Sequence, residues 1–251
     1  VALGAVIAAV INFALGGLFM ALTPLFLEPR EIPYRPSVQR TPEELKSARK
    51  VWSRLGFGCF AIVAVSTVVQ LALAILMPWA AEDPYLVWVI TFAPIYVAAV
   101  PVCLLIFRKA KPMELPKVKW PGSAMVKTVF ICFFMMTAGN LIGQLVTGLF
   151  GRLLGSPTES GITGFITEES LAMKVLFMVI LAPIIEEYLF RKVLIDRMAP
   201  YGEKLAVVAS ALLFGLFHGN FSQFFYAFGL GLVFGYVYLK TGRLRYSIGL
   251  H

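Results

Sequence analysis

The sequence has few charged residues and almost no cysteine or histidine. Lysine, arginine, aspartate and glutamate make up 14% of its 251 residues, whereas hydrophobic residues make up 59%. Soluble domains are roughly 45–50% apolar, so this composition excludes an ordinary soluble protein and predicts an integral membrane protein. The formal net charge is +8, but the basic residues fall in the connections between apolar runs. We therefore predict a lipid bilayer as partner and no nucleic acid.

The three cysteines, Cys59, Cys103 and Cys132, lie far apart inside apolar runs and show no C-x-x-C spacing. This pattern argues against a disulfide framework and against a cysteine zinc cluster. We predict that they are small core residues.

Apolar runs recur along the whole chain, whereas a signal peptide would give one short run near the start. The runs cover residues 1–27, 57–79, 85–107, 125–150, 171–190, 204–218 and 222–239, and an eighth begins at Tyr246. The sequence therefore predicts an all-α, polytopic transmembrane bundle of about eight helices, seven visible plus the start of an eighth. We treat 1–251 as a single membrane domain. Because the sequence starts at Val1 and reaches His251 inside an apolar segment, we expect both ends to be truncated.

The connection between the first two runs contains a helix start signal. Thr41 fits an N-cap, Pro42 the first helical position and Glu44 the acid of a capping box. We predict a short amphipathic surface helix here.

Basic residues alternate between the connections. The connections after the first, third, fifth and seventh runs are rich in lysine and arginine, and those between them are not. By the positive-inside rule, Val1 is predicted outside and the 191–204 connection cytoplasmic. The protein is thus predicted to be multi-pass, in the plasma membrane if bacterial and in the endoplasmic reticulum if eukaryotic.

The stretch EEYLFR places two acids and an arginine at the end of an apolar run. Glu187 and Arg191 are four residues apart, so one helix face can pair them. Glu186 lies about 100° around the helix and is a candidate for proton transfer. The alternative is that all three residues merely anchor the cytoplasmic end of the helix.

Both histidines of the chain, His218 and His251, fall at apolar positions. If the chain turns near Tyr201, Glu186 and His218 lie roughly 22 and 26 Å from the turn on antiparallel helices, so they can share a water molecule. Phe214, one turn before His218, is placed to pack on the imidazole. Ordinary core packing explains Phe214 equally well.

The segments EEYLFR, FGLFH and the stretch ending in SIGLH together resemble the CAAX-protease and bacteriocin-processing (CPBP) family of intramembrane proteases. The family motifs E-E-x-x-x-R, F-x-x-x-H and H-x-x-x-N match Glu186, Glu187 and Arg191, then Phe214 and His218, and then only the first letter at His251. The resemblance covers about residues 171–251, which makes this region the catalytic core; residues 1–170 match nothing specific to the family.

This resemblance implies peptide hydrolysis in an intramembrane cavity, with a peptide or membrane-protein substrate. Glu186 would be the general base and share the nucleophilic water with His218, while Arg191 would hold Glu187. His251 would polarise the scissile carbonyl. No cofactor is favoured, although Glu186, His218 and His251 would make a plausible zinc site.

Two other classes of protein stay open at this point. One is a non-catalytic membrane protein of the same fold, such as a bacteriocin-immunity or scaffold protein. The other is a transporter that relays protons through Glu186, Glu187 and His218.

Overall fold

The computed structural model describes residues 42–154 and 171–251 of this chain, and all regular elements within these two ranges are helices. The predicted apolar run 1–27 and the predicted N-cap Thr41 lie outside the described residues. Within them, each predicted apolar run has a helix.

Seven helices follow one another in the described residues. They are α1 (Pro42–Leu76), α2 (Pro84–Phe107), α3 (Gly122–Leu154), α4 (171–198), α5 (Glu203–Phe217), α6 (Phe221–Thr241) and α7 (Leu244–Leu250). Four of them, α1, α2, α3 and α6, are long and apolar enough to cross a bilayer. This confirms the predicted all-α architecture, and the chain is an integral membrane protein.

The prediction of a separate short surface helix after Thr41 is wrong. A helix does begin at Pro42, but it continues unbroken to Leu76 and includes the following apolar run. The charged residues 43–50 are good helix formers with no glycine or proline among them, so nothing ends the helix before the apolar run begins.

Helix α4 extends past the apolar run 171–190 to Met198, as the turn predicted near Tyr201 requires. The residues beyond 190 are mostly buried, including Val193, Leu194 and Ile195. Charged residues in this part of the helix pair four residues apart, such as Lys192 Nζ with Asp196 Oδ2 at 2.6 Å. Apolar content alone could not show this pairing.

The described residues form two compact units. The diacid unit consists of residues 42–114 and 171–203 and contains α1, α2 and α4. The histidine unit consists of residues 115–154 and 204–251 and contains α3, α5, α6 and α7. That the whole chain is one domain stays a prediction.

Small residues allow close helix packing in the histidine unit. A Cβ atom on Gly143 of α3 would lie 2.6 Å from the carbonyl oxygen of Ser222 on α6, and one on Gly231 would lie 2.9 Å from the Cα atom of Ala211 on α5. Only glycine fits at such distances. The three cysteines form no disulfide, and Cys103 and Cys132 are buried, as expected for core residues.

Candidate functional site

The Glu187–Arg191 pair lies inside the diacid unit. Arg191 Nε donates to Glu187 Oε2 at 3.0 Å, and Arg191 Nη2 donates to Oε1 at 3.2 Å. Neither side chain has any exposed surface. Two parallel hydrogen bonds of this kind are the strong form of the carboxylate–guanidinium interaction and offset the cost of burying both charges.

Glu186 has a different environment from its neighbour. It is partly exposed while Glu187 is fully buried, as the rotation of about 100° between successive helical residues requires. Both residues lie in the α-helical stretch Ala182–Glu187, between two π-helical stretches, Val175–Leu181 and Tyr188–Ile195. Such π-helical turns within α-helices are frequently found at functional sites.

The negative charge of Glu186 acts on two other groups of the diacid unit. One is the buried guanidinium of Arg191, and the other is the phenol of Tyr96 on α2. The Tyr96 ring packs 6.4 Å from the ring of Phe177 on α4, which fixes its position against this helix. Tyr96 was not predicted from the sequence, because no sequence spacing links α2 with the diacid.

His218 lies one residue beyond the end of α5, rather than at a helical position as predicted. Its backbone N–H bonds to the carbonyl of Gly215, and its ring Nδ1 lies 2.8 Å from the carbonyl oxygen of Phe214. A carbonyl oxygen can only accept, so Nδ1 carries the proton. In the neutral ring, Nε2 therefore presents a lone pair, as a base or an acceptor for water requires.

Phe214 connects the two histidines of the chain. Its ring packs edge-to-face against His218 at 5.1 Å and against His251 at 5.7 Å between centroids. Phe234 of α6 stacks on His251 at 5.4 Å. The structure thus has the predicted contact between Phe214 and His218, and it also brings His251 to the same aromatic ring.

A chain of polar side chains follows His218. Asn220 Nδ2 donates to the carbonyl of His218 at 2.8 Å and to Gln223 Oε1 at 2.7 Å. Gln223 Nε2 donates to the hydroxyl oxygen of Tyr226 at 2.9 Å, and the Tyr226 ring packs 6.2 Å from the ring of His218. The position of Tyr226 beside His218 was not predicted from the sequence, because it depends on packing between helices.

The predicted turn after α4 is present. A 3₁₀ turn covers Ala199–Tyr201, and Gly202, at φ 147°, leads into α5. Each unit gathers its own part of the predicted site, the diacid and Arg191 in one and Phe214, His218 and His251 in the other. That Glu186 and His218 are level across this turn stays a prediction from helix rise.

Within the described residues of each unit, no three His, Cys, Asp or Glu side chains lie close enough together to bind one metal ion. Chelation, proposed below, is the direct test of metal dependence.

Two comparisons with known proteins find similarity to CAAX proteases. A sequence model of the type II CAAX prenyl endopeptidase Rce1-like family matches residues 168–251. The membrane-embedded CAAX protease MroQ of Staphylococcus aureus (strain USA300) is 27% identical over 164 residues, which cover 62% of this chain and 66% of that protein. This chain thus aligns with just under two thirds of that relative's length. No solved structure matches this chain.

The matched segment 168–251 contains the diacid with its arginine, the FGLFH motif and His251. The same segment contains Glu187, which pairs with Arg191, and the two histidines whose rings pack on Phe214. In this segment, the chain is similar to the type II CAAX prenyl endopeptidase Rce1-like family.

Proposed function

We propose that this protein is an intramembrane endopeptidase of the CAAX type, which hydrolyses a peptide bond with a water molecule activated by Glu186 and His218. The observation that carries the proposal is that the two adjacent acids, Glu186 and Glu187, have different environments. Glu187 is buried and bound by Arg191, while Glu186 is partly exposed. One carboxylate is therefore fixed in the structure, and the other can meet water.

Glu186 acts as general base in this proposal. It takes a proton from water as the water oxygen attacks the scissile carbonyl carbon, which gives a tetrahedral oxyanion. When the carbon–nitrogen bond breaks, the protonated Glu186 delivers that proton to the leaving amine, so the carboxylate is restored. No covalent enzyme intermediate is needed.

The histidines have separate roles in this mechanism. His218 keeps Nδ1–H on the Phe214 carbonyl, so its Nε2 accepts a hydrogen bond from the same water and orients it. His251 is the donor to the developing oxyanion. Phe214 is a positioning residue, because its ring contacts both imidazoles.

The substrate is proposed to be a peptide or a membrane-associated protein that reaches the site among apolar helices. The CAAX name of the S. aureus relative supports a cleavage site in a membrane-bound peptide. The lysine and arginine distribution supports a cytoplasmic position for residues 191–204.

Cleavage by matched variants tests this proposal. The purified protein in detergent is incubated with a lipidated model peptide, and new peptide ends are measured by mass spectrometry. We expect Glu186→Gln and His218→Ala to reduce cleavage to a small residual rate, whereas Glu114→Gln, which changes an exposed acid of the diacid unit, retains it. Full cleavage by both site variants would overturn the proposal. Proton-coupled flux without new peptide ends would instead favour a transporter.

A further inference from the structure

A cationic and aromatic cluster lies at the junction of α6 and α7, and neither the motifs nor the proposed mechanism uses it. We call it the anion cluster; its members are Trp120, Tyr236, Lys240, Arg243, Arg245 and Tyr246, and all belong to the histidine unit. Its side chains offer hydrogen-bond donors and positive charge but no carboxylate.

Backbone contacts hold the cluster together. The segment before α3 runs along the end of α6, where Val118 N–H donates to the carbonyl of Thr241 at 2.8 Å. The helix ends there because Gly242 adopts a left-handed φ of 61°. A Cβ atom on this residue would lie 2.7 Å from the carbonyl oxygen of Pro116, so only glycine permits the crossing.

Side-chain contacts complete the cluster. The backbone N–H of Trp120 and Nη2 of Arg245 both donate to the Tyr246 hydroxyl oxygen at 3.1 Å. The Trp120 ring packs edge-on against Tyr236 at 6.4 Å, and Lys240 Nζ lies 5.7 Å from the centre of the Tyr236 ring.

Two buried donors in this cluster have no acceptor among the described residues. They are Nε1 of Trp120 and Nε of Arg243. Arg243 and Arg245 also both act electrostatically on Tyr246. Buried donors are nearly always satisfied in native proteins, so these two indicate an acceptor that is not among the described residues.

The charge balance of the histidine unit supports the same conclusion. Its described residues, 115–154 and 204–251, contain eight lysines and arginines and no aspartate or glutamate. No carboxylate of this unit's described residues can neutralise the cluster. An anion that binds the cluster would therefore come from outside the described residues of this unit.

We propose that the anion cluster binds the phosphate group of an anionic membrane lipid. Trp120 Nε1 and Arg243 Nε donate to its oxygens, and Lys240 and Arg245 supply further positive charge. The cluster lies at the end of α6, a membrane-spanning helix, where tryptophan and tyrosine mark the level of the lipid headgroups. Basic pockets at the ends of spanning helices are recognised lipid headgroup sites.

Lipid retention measured by native mass spectrometry tests the proposal. The protein in detergent is titrated with phosphatidylglycerol, with zwitterionic phosphatidylcholine in a parallel arm. We expect one phosphatidylglycerol to stay bound under conditions that strip phosphatidylcholine. Arg243→Gln should weaken its binding on the order of tenfold or more, because a charge-assisted hydrogen bond is lost. Trp120→Phe, which removes only the indole N–H, should weaken it less but measurably.

Controls separate the proposal from general charge effects and from misfolding. Arg152→Gln removes an exposed arginine of the same unit and should leave phosphatidylglycerol binding unchanged. Helical content by circular dichroism checks the fold of each variant, and Trp120→Phe keeps the ring packing if Arg243→Gln fails to fold. Wild-type binding by both cluster variants would overturn the proposal. Equal retention of the two lipids, or complete competition by millimolar inorganic phosphate or by an acidic peptide, would overturn the assignment to a lipid.

Discussion

The carboxylate of Glu187 and the guanidinium of Arg191 are joined by two hydrogen bonds, and neither side chain is exposed. A buried ion pair contributes little net stability when it is complete, but either partner left alone is costly. We infer that the pair fixes the position of the helix that carries Glu186. Its contribution to stability can be measured separately from catalysis.

Arg191→Ala should lower the free energy of unfolding by about 3–5 kcal/mol, because it leaves the Glu187 carboxylate buried and unpaired. Thermal unfolding in detergent measures this loss. Arg108→Ala, at an exposed arginine of the same unit, should cost far less. The double variant Glu187→Leu, Arg191→Leu should recover much of the stability without recovering cleavage. Equal losses for Arg191→Ala and Arg108→Ala would contradict this view of the pair.

Gly143→Ala should destabilise the histidine unit by about 1–3 kcal/mol, because the new methyl group overlaps the carbonyl of Ser222. Gly148 is five residues further along α3 and has open space where a Cβ would lie. Gly148→Ala should therefore be neutral or stabilising, by up to about 1 kcal/mol. The comparison of the two unfolding temperatures is the measurement. A similar loss at both positions would contradict this account, because helix propensity favours alanine at both and, of the two, only Gly143 contacts α6.

Phe214→Leu should reduce cleavage by about tenfold to a hundredfold, because small displacements of catalytic groups have effects of this size. The ring packs on both His218 and His251, and leucine cannot hold both imidazoles in place. Steady-state kinetics should show the loss in kcat more than in KM. Phe228→Leu, which removes a ring stacked on Phe224 only, serves as the control. Unchanged kcat for Phe214→Leu would show that Phe214 does not position the two histidines.

Chelation should leave cleavage intact, since the proposed mechanism activates water with Glu186 and not with a metal. The protein is dialysed against a strong chelator before the assay, and its metal content is measured. Loss of cleavage that zinc restores would replace the metal-free mechanism by a zinc site at Glu186, His218 and His251.

Local sequence patterns predicted a large part of this structure. Hydrophobic runs gave the helices, and the four-residue spacing gave the Glu187–Arg191 and Phe214–His218 contacts. Two kinds of feature could not be predicted. The first is the burial of the last turns of α4, where the carboxylate of Asp196 is buried and pairs with Lys192.

The second kind of feature depends on tertiary packing and side-chain donors. The Nδ1–H bond of His218 to the Phe214 carbonyl becomes visible only once the end of α5 is known. Tyr96 and Tyr226 approach the candidate residues through contacts between helices, which no spacing within one helix encodes.

The central claim, that Glu186 and His218 act on the same water molecule, is tested most directly by a double-mutant cycle on kcat/KM. Glu186→Gln, His218→Ala and the double variant are compared with the wild type in the cleavage assay. If one water is shared, the double variant should be no slower than the slower single variant, because either change already removes the activated nucleophile. Losses that multiply in the double variant would show that the two residues act independently and would contradict the account.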